Sequence, residues 1–225
     1  MSEPVFYFSL RSPYSWLAIH DLKTRYPKLL ERLALKPFWE PDEELRGALG
    51  KHGEAFLYTA MSKEKHLYIL TDVRRLARKR GLTIAWPHDK SPRWEVPHLA
   101  YFVAERAGKA LEFIEAVKDM RWKLGRDICD PGAMEEVGCV LGLDPIELRD
   151  AHLDPQIRAE GLQALRACIR AGVFGVPFFT AGREKFWGID RLHEFAGSVG
   201  QEAAPVEMPT AMTGSALLDH AGGCG

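Results

Sequence analysis

The chain has 225 residues, 46% hydrophobic and 27% charged, the composition of a folded globular protein long enough to bury a full core. Lys plus Arg total 30 against 31 for Asp plus Glu, and the net charge of -1 gives no electrostatic basis for nucleic acid or an anionic membrane as the main partner. No apolar run reaches membrane-spanning length and the N-terminus lacks a basic-then-apolar leader, so the expected location is the cytoplasm. Cys129, Cys139, Cys168 and Cys224 form no C-x-x-C and no paired ligand spacing, so the sequence indicates neither a dithiol centre nor a metal site.

Val5 to Leu10 is a continuous apolar and aromatic run, the pattern of a strand buried on both faces. It stops at Ser12-Pro13, which reads as a helix start: Ser12 suits the N-cap and Pro13 the first helical position, where a missing N–H costs nothing. A strand feeding a helix N-terminus aims free N–H groups and the positive end of the helix dipole at whatever sits beside Ser12, and a thiolate is a suitable anion for such a site. The helix is expected from Pro13 to about Tyr26, with Trp16, Leu17, Ile19 and Leu22 toward the core and Pro27 as its stop; Leu33 to Trp39 then reads as a second strand, completing a βαβ unit.

After a mixed loop with a short helix near Glu43 to Leu49, a helical pattern resumes at Ser62, with Leu67, Leu70, Val73, Leu76 and Ala77 repeating at helical spacing and Gly81 as the stop. Its basic side, Arg74, Arg75, Arg78, Lys79 and Arg80, reads as a solvated face. Thr83 to Glu95 is an irregular aromatic loop, compatible with a lid or with packing on the core. Helices are expected over Val96–Ala107, Ala110–Leu124, Pro131–Leu141, Pro145–Ala151 and Pro155–Ala171, the last carrying Cys168 on its apolar side. A proline-containing strand at Val173–Thr180, a hairpin over Gly182 to Trp187 and a last helix at Arg191–Val199 follow; Gly200 onward reads as a flexible tail.

The order βαβ, helices, ββα is that of an α/β chain and resembles a thioredoxin-like fold split by an all-helical insertion, which implies a thioredoxin-like part at residues 1–60 and 172–199, the insertion and its connecting helix at 61–171, and a tail at 200–225. Four motifs in order, Ser-Pro-Tyr-Ser-Trp-Leu at 12–17, Lys65-His66-Leu67-Tyr68 with Asp72, Gly175-Val176-Pro177 and Phe186-Trp187-Gly188-Ile189-Asp190-Arg191-Leu192, resemble the 2-hydroxychromene-2-carboxylate isomerase and kappa-class glutathione transferase branch of the DsbA-like thioredoxin superfamily. Hydroxyls of Ser12 and Ser15 stand where two redox sulfurs would be, so no disulfide forms there.

The resemblance implies a catalytic Ser12 that holds the sulfur of glutathione, or of another low-molecular-weight thiol. It further implies glutathione contacts from Val176 before a cis-Pro177, from Asp190 to the γ-glutamyl amine and from Lys65 to a carboxylate. The implied activity is isomerisation of a small conjugated aromatic substrate by reversible thiolate addition, in a homodimer; a kappa-like transferase and a non-redox binding module are the alternatives. Ser9 stands where the family commonly has an acidic residue, and Trp39, Tyr58 and Trp94 fit either an aromatic substrate pocket or ordinary core. Direct nucleophilic catalysis by Ser12 lacks both a G-x-S-x-G elbow and a histidine fixed beside it by sequence. Cys224 near the C-terminus reads as an incidental cysteine of a disordered end, with presentation of its thiol to the Ser12 site, in cis or in a neighbouring chain, as the alternative.

Overall fold

The computed structural model describes residues 3–57, 62–90 and 92–204. The N-terminal unit is strand β1 (Val5–Phe8), helix α1 (Pro13–Arg25), the single-turn helix α2 (Pro27–Leu30) and strand β2 (Ala34–Pro37). Helices α3 (Glu43–Lys51), α4 (Lys63–Lys79), α5 (Glu95–Arg106), α6 (Ala110–Trp122), α7 (Pro131–Leu141), α8 (Pro145–Asp150) and α9 (Pro155–Ala171) follow. Strands β3 (Phe178–Ala181) and β4 (Glu184–Trp187), a 3-10 turn (Ile189–Arg191) and helix α10 (Leu192–Ser198) complete the fold.

The sheet has the order β2-β1-β3-β4, with β1 and β2 parallel and the other two pairs antiparallel. This is the expected βαβ…ββα layout with helices between its halves. Central β1 carries Phe6 and Phe8, both fully buried; Phe6 stacks on Phe179 of β3 at 4.8 Å, and Phe179 stacks on Phe195 of α10 at 4.9 Å. Edge strand β4 is short and mostly exposed, which limits pairing with another chain.

Helix α5 is the wedge of the insertion. Every residue from Glu95 to Ala104 is buried. Tyr101 meets the Phe8 ring edge-on at 5.4 Å and donates its hydroxyl to the Leu35 carbonyl at 3.1 Å, so insertion and sheet share one core. On its other side α5 approaches α9 closely at Gly161, where an added Cβ would lie 2.4 Å from a Leu99 methyl.

Several boundaries differ from the sequence reading, each for a local reason. The first strand ends at Phe8 rather than Leu10, because the Leu10 N–H is taken by the His98 ring and the Ser9 carbonyl accepts from Ser12 N–H. Helix α1 does end before Pro27, as expected, with Tyr26 as its C-cap, and Pro27 then opens the separate helix α2 at its first position. Leu67 of α4 is not a core residue: it is 52% exposed, and only Val73 and Ala77 are buried, against Trp16 and Leu17 of α1. Arg80, assigned to the solvated face, instead makes a two-point ion pair with Asp21 at 2.6 and 2.7 Å.

The aromatic loop after α4 packs on the core, with Trp86 edge-on to Trp122 at 5.9 Å and Ala85 N–H on the Trp122 carbonyl at 2.8 Å. Past Gly200 the chain is still tied down at Ala204, whose N–H donates to the Arg25 carbonyl at 2.7 Å. The rest of the expected tail, with Cys224, lies outside the described residues, as does Tyr58. No helix among the described residues is long and apolar enough to cross a membrane.

Candidate active site

Ser12 caps α1 from an extended backbone conformation, as the Ser-Pro pair predicts. Its Oγ accepts from Ser15 N–H at 3.1 Å, its carbonyl accepts from Trp16 N–H at 3.1 Å, and its own N–H donates to the Ser9 carbonyl at 3.1 Å. Pro13 has no N–H to offer. Of the first-turn donors this leaves the Tyr14 N–H without an acceptor among the described residues, and the Ser12 hydroxyl hydrogen is likewise uncommitted. Two donors and the positive end of a 13-residue helix therefore converge on a half-buried spot.

The other expected residues lie on three other segments. Val176-Pro177 is a cis peptide. Pro177 is buried and directly precedes Phe178 of β3, which pairs with Tyr7 of β1, and Val176 before it is half-buried. The Val176 backbone makes no hydrogen bond among the described residues, whereas the Pro177 carbonyl accepts from Gly188 N–H at 2.9 Å. Asp190 lies in the 3-10 turn, which packs on α1 through Ile189; its side chain is 70% exposed and touches Arg191 at 3.3 Å. Lys65 is exposed in the first turn of α4, two turns before Asp72 on the same face, and the Asp72 carboxylate accepts from the Tyr14 hydroxyl at 2.8 Å.

Beneath this rim lies a polar floor absent from the sequence reading. His98 of α5 is fully buried. Its Nδ1 is 2.7 Å from the Trp94 carbonyl, which can only accept, so Nδ1 carries the proton. Nε2 therefore accepts, from Leu10 N–H at 3.0 Å and from the Ser9 hydroxyl at 3.2 Å. Burial holds its pKa down at about 3, with the charges of Lys118, Arg11 and Arg121 acting in the same direction against the Trp94 hydrogen bond. A histidine thus does reach the loop, but it contacts Ser9 and Leu10, not Ser12. Ser9 N–H donates to Ser15 Oγ at 3.3 Å, closing the network back onto α1.

Two cations of α6 complete the floor. Arg121 is 3% exposed, forms a two-point ion pair with Asp89 at 2.8 Å, and lies 5.1 Å from the Trp94 ring centre. Arg11 approaches the same Trp94 ring at 5.0 Å and pairs with Glu40 at 3.2 Å. Lys118 is 1% exposed and its Nζ has no hydrogen-bond partner among the described residues. A cavity of about 320 Å³ opens beside Arg11, lined by Glu40, Pro41, Asp42, Pro92, Arg93, Trp94 and Glu95. Trp94 thus borders open space, whereas Trp39 is 2% exposed, stacks on the His98 ring at 5.3 Å and donates to Glu95 at 3.3 Å.

One sequence signal for this floor was available. Ile114, Val117, Lys118, Arg121 and Trp122 repeat at helical spacing, so both cations occupy the apolar stripe of α6. A charged residue at a stripe position marks an unusual site.

A parallel β1–β2 pair, a serine-capped helix after β1, a cis-proline directly before β3 and an intervening helical insertion define a member of the thioredoxin-like class. The chain belongs to the DsbA-like thioredoxin domain family, whose sequence profile matches residues 5–200. Among characterised relatives it is similar to the 2-hydroxychromene-2-carboxylate isomerase of Sphingobium xenophagum, 26% identical over 190 residues, 83% of this chain and 92% of that one. The protein of the same name from Pseudomonas putida is 24% identical over 200 residues, 87% of this chain and 93% of that one. A solved 2-hydroxychromene-2-carboxylate isomerase shares the fold with a TM-score of 0.69 at 23% identity, over 88% of this chain and 94% of that one.

Proposed function

We propose that this protein is a thiol-dependent isomerase of the 2-hydroxychromene-2-carboxylate type, with glutathione as the thiol and Ser12 as the residue that holds its sulfur. The observation that carries this reading is the pair of uncommitted donors, Ser12 O–H and Tyr14 N–H, at the start of α1, in a fold whose cis-Pro177 leads into the strand paired with β1. No carboxylate or imidazole contacts Ser12 among the described residues, so its hydroxyl serves as a donor rather than an activated nucleophile. The family relationship to named isomerases supplies the reaction class.

The residues present fit glutathione. The unpaired backbone of Val176 suits the cysteinyl unit, the exposed Asp190 carboxylate an ammonium, and Lys65 a carboxylate. When bound, glutathione supplies a nucleophile that adds to a conjugated double bond, permits rotation about the resulting single bond and leaves unchanged. Ser12 and Tyr14 N–H stabilise negative charge on the sulfur, lowering the energy of the reactive form near neutral pH. His98, neutral and fully bonded, fixes Ser9 and Leu10 and so the approach of the loop to α1.

Titration calorimetry of glutathione into the wild type and into Asp190→Ala, followed by an isomerisation assay on 2-hydroxychromene-2-carboxylate, tests the reading. We expect saturable binding that Asp190→Ala weakens, turnover that requires thiol, and a loss of about 100-fold in kcat for Ser12→Ala. Turnover indifferent to added thiol would overturn it.

A further inference from the structure

The cavity beside Trp94 holds two opposite charges that do not meet. Glu95, at the start of α5, is 4% exposed, and its Oε1 accepts from Asp42 N–H at 2.6 Å and from the Trp39 indole at 3.3 Å. Its Oε2 accepts a hydrogen bond from no other described residue. Buried side-chain atoms that lack a partner among the described residues are all nitrogens, so Oε2 is not shut away from water, and the opening that Glu95 lines is this cavity. Burial raises the Glu95 pKa, and a cation at Oε2 would offset that cost. The other two carboxylates of the lining are committed: Glu40 pairs with Arg11 at 3.2 Å, and Asp42 pairs with Arg158 at 2.8 Å and caps α3. Arg158, whose charge reaches Glu95, is bonded to Asp42, Glu44 and the His152 carbonyl. Arg93 also lines the cavity; it is exposed and joins no ion pair and no side-chain hydrogen bond among the described residues. Pro41, Pro92 and Trp94 supply an apolar wall, and the volume of about 320 Å³ is that of a small-ligand pocket.

We propose that this cavity is a binding site for a small zwitterion, an α-amino acid with an apolar side chain, whose ammonium sits on Glu95 Oε2 and whose carboxylate sits on Arg93. The two charges of that ligand answer the two that the cavity leaves unpaired, which neither an amine nor a carboxylic acid alone does. Its side chain covers the proline and tryptophan wall. The site stands apart from the thiol reading of Ser12, and neither rests on the other.

The test is a titration of L-leucine, to about 10 mM, into the full chain and into Glu95→Gln and Arg93→Met. Binding is read by calorimetry and by the nuclear magnetic resonance signal of the Trp94 indole N–H, assigned by its loss in Trp94→Phe. Glu95→Gln keeps an acceptor for Asp42 N–H and Trp39 and removes the charge, and Arg93→Met breaks no bond of the fold. We expect saturable binding that moves the Trp94 signal and is about tenfold weaker in either variant. Isopentylamine, which lacks the carboxylate, and 4-methylpentanoate, which lacks the ammonium, are each expected to bind about tenfold more weakly than L-leucine. No saturation, an unmoved Trp94 signal, or an affinity that both variants leave unchanged overturns the proposal. Equal binding of either one-charge analogue also overturns it, and that comparison decides the matter in the wild type alone if a variant fails to fold.

Discussion

Helices α4 and α5 both reach the Ser12 loop, and they are built on opposite principles. Ten consecutive residues of α5 are buried, so its polar members, Glu95 and His98, must find partners inside the protein, and both do. Among the described residues helix α4 buries only Val73 and Ala77, and it meets the first turn of α1 through the side-chain bond from Tyr14 to Asp72. One helix fixes the loop before Ser12 by packing; the other holds Lys65 on a surface that water can reach. Precision below and freedom above suit a site that holds one group rigidly and admits a larger one.

Substitution on α5 is expected to cost most. Leu99→Ala removes a fully buried side chain packed against Gly161 of α9, with a loss of about 3 kcal/mol in denaturant unfolding. His98→Leu is next, at about 2 kcal/mol, because Leu10 N–H and Ser9 O–H lose their buried acceptor. This variant also changes the response to acid. His98 has a folded pKa of about 3, below its unfolded value, so the unfolded chain binds the extra proton. Stability is therefore complete above the ordinary histidine pKa and falls as pH drops toward 3. Between pH 7 and pH 4 this group accounts for about 3 kcal/mol of loss in the wild type, and that part of the slope is absent in His98→Leu.

The same contrast explains what the sequence discloses. Ser12 as an N-cap, and the Asp-Pro and Ser starts of α7, α9 and α4, are local chemistry, legible because cap and helix are adjacent in the chain. The end of β1 is not local: Leu10 carries a strand-like side chain, but its N–H is claimed by a ring 88 positions away. Periodicity misplaced Leu67 for a related reason. An apolar stripe states which face of a helix is available for burial, and the length of the neighbouring element decides how much of it is covered; α1 covers only the C-terminal half of α4. The polar floor escaped because His98, Lys118 and Arg121 each sit in an apolar stripe and acquire meaning only when α5 and α6 close on β1.

On α4 the effects are smaller. Tyr14→Phe removes the hydroxyl that joins α1 to Asp72 and is expected to cost about 1 kcal/mol, with faster amide exchange in the first turns of α4 and little change in α5. A uniform loss of protection across both helices would show that α4 is as firmly coupled to the core as α5.

The smallest effect sharpens the contrast most. Leu67 and Tyr68 are 52% and 59% exposed on consecutive positions of α4, so in an isolated chain Leu67→Ser removes little buried area and is expected to change stability by less than about 0.5 kcal/mol. Unfolding measured over a hundredfold range of protein concentration checks this. If the wild-type midpoint rises with concentration and the variant's does not, this face of α4 is covered by a second copy, because only an associating protein links stability to its own concentration. The open helix would then be closed by assembly, and the difference between α4 and α5 would lie in which molecule supplies the packing rather than in whether packing occurs.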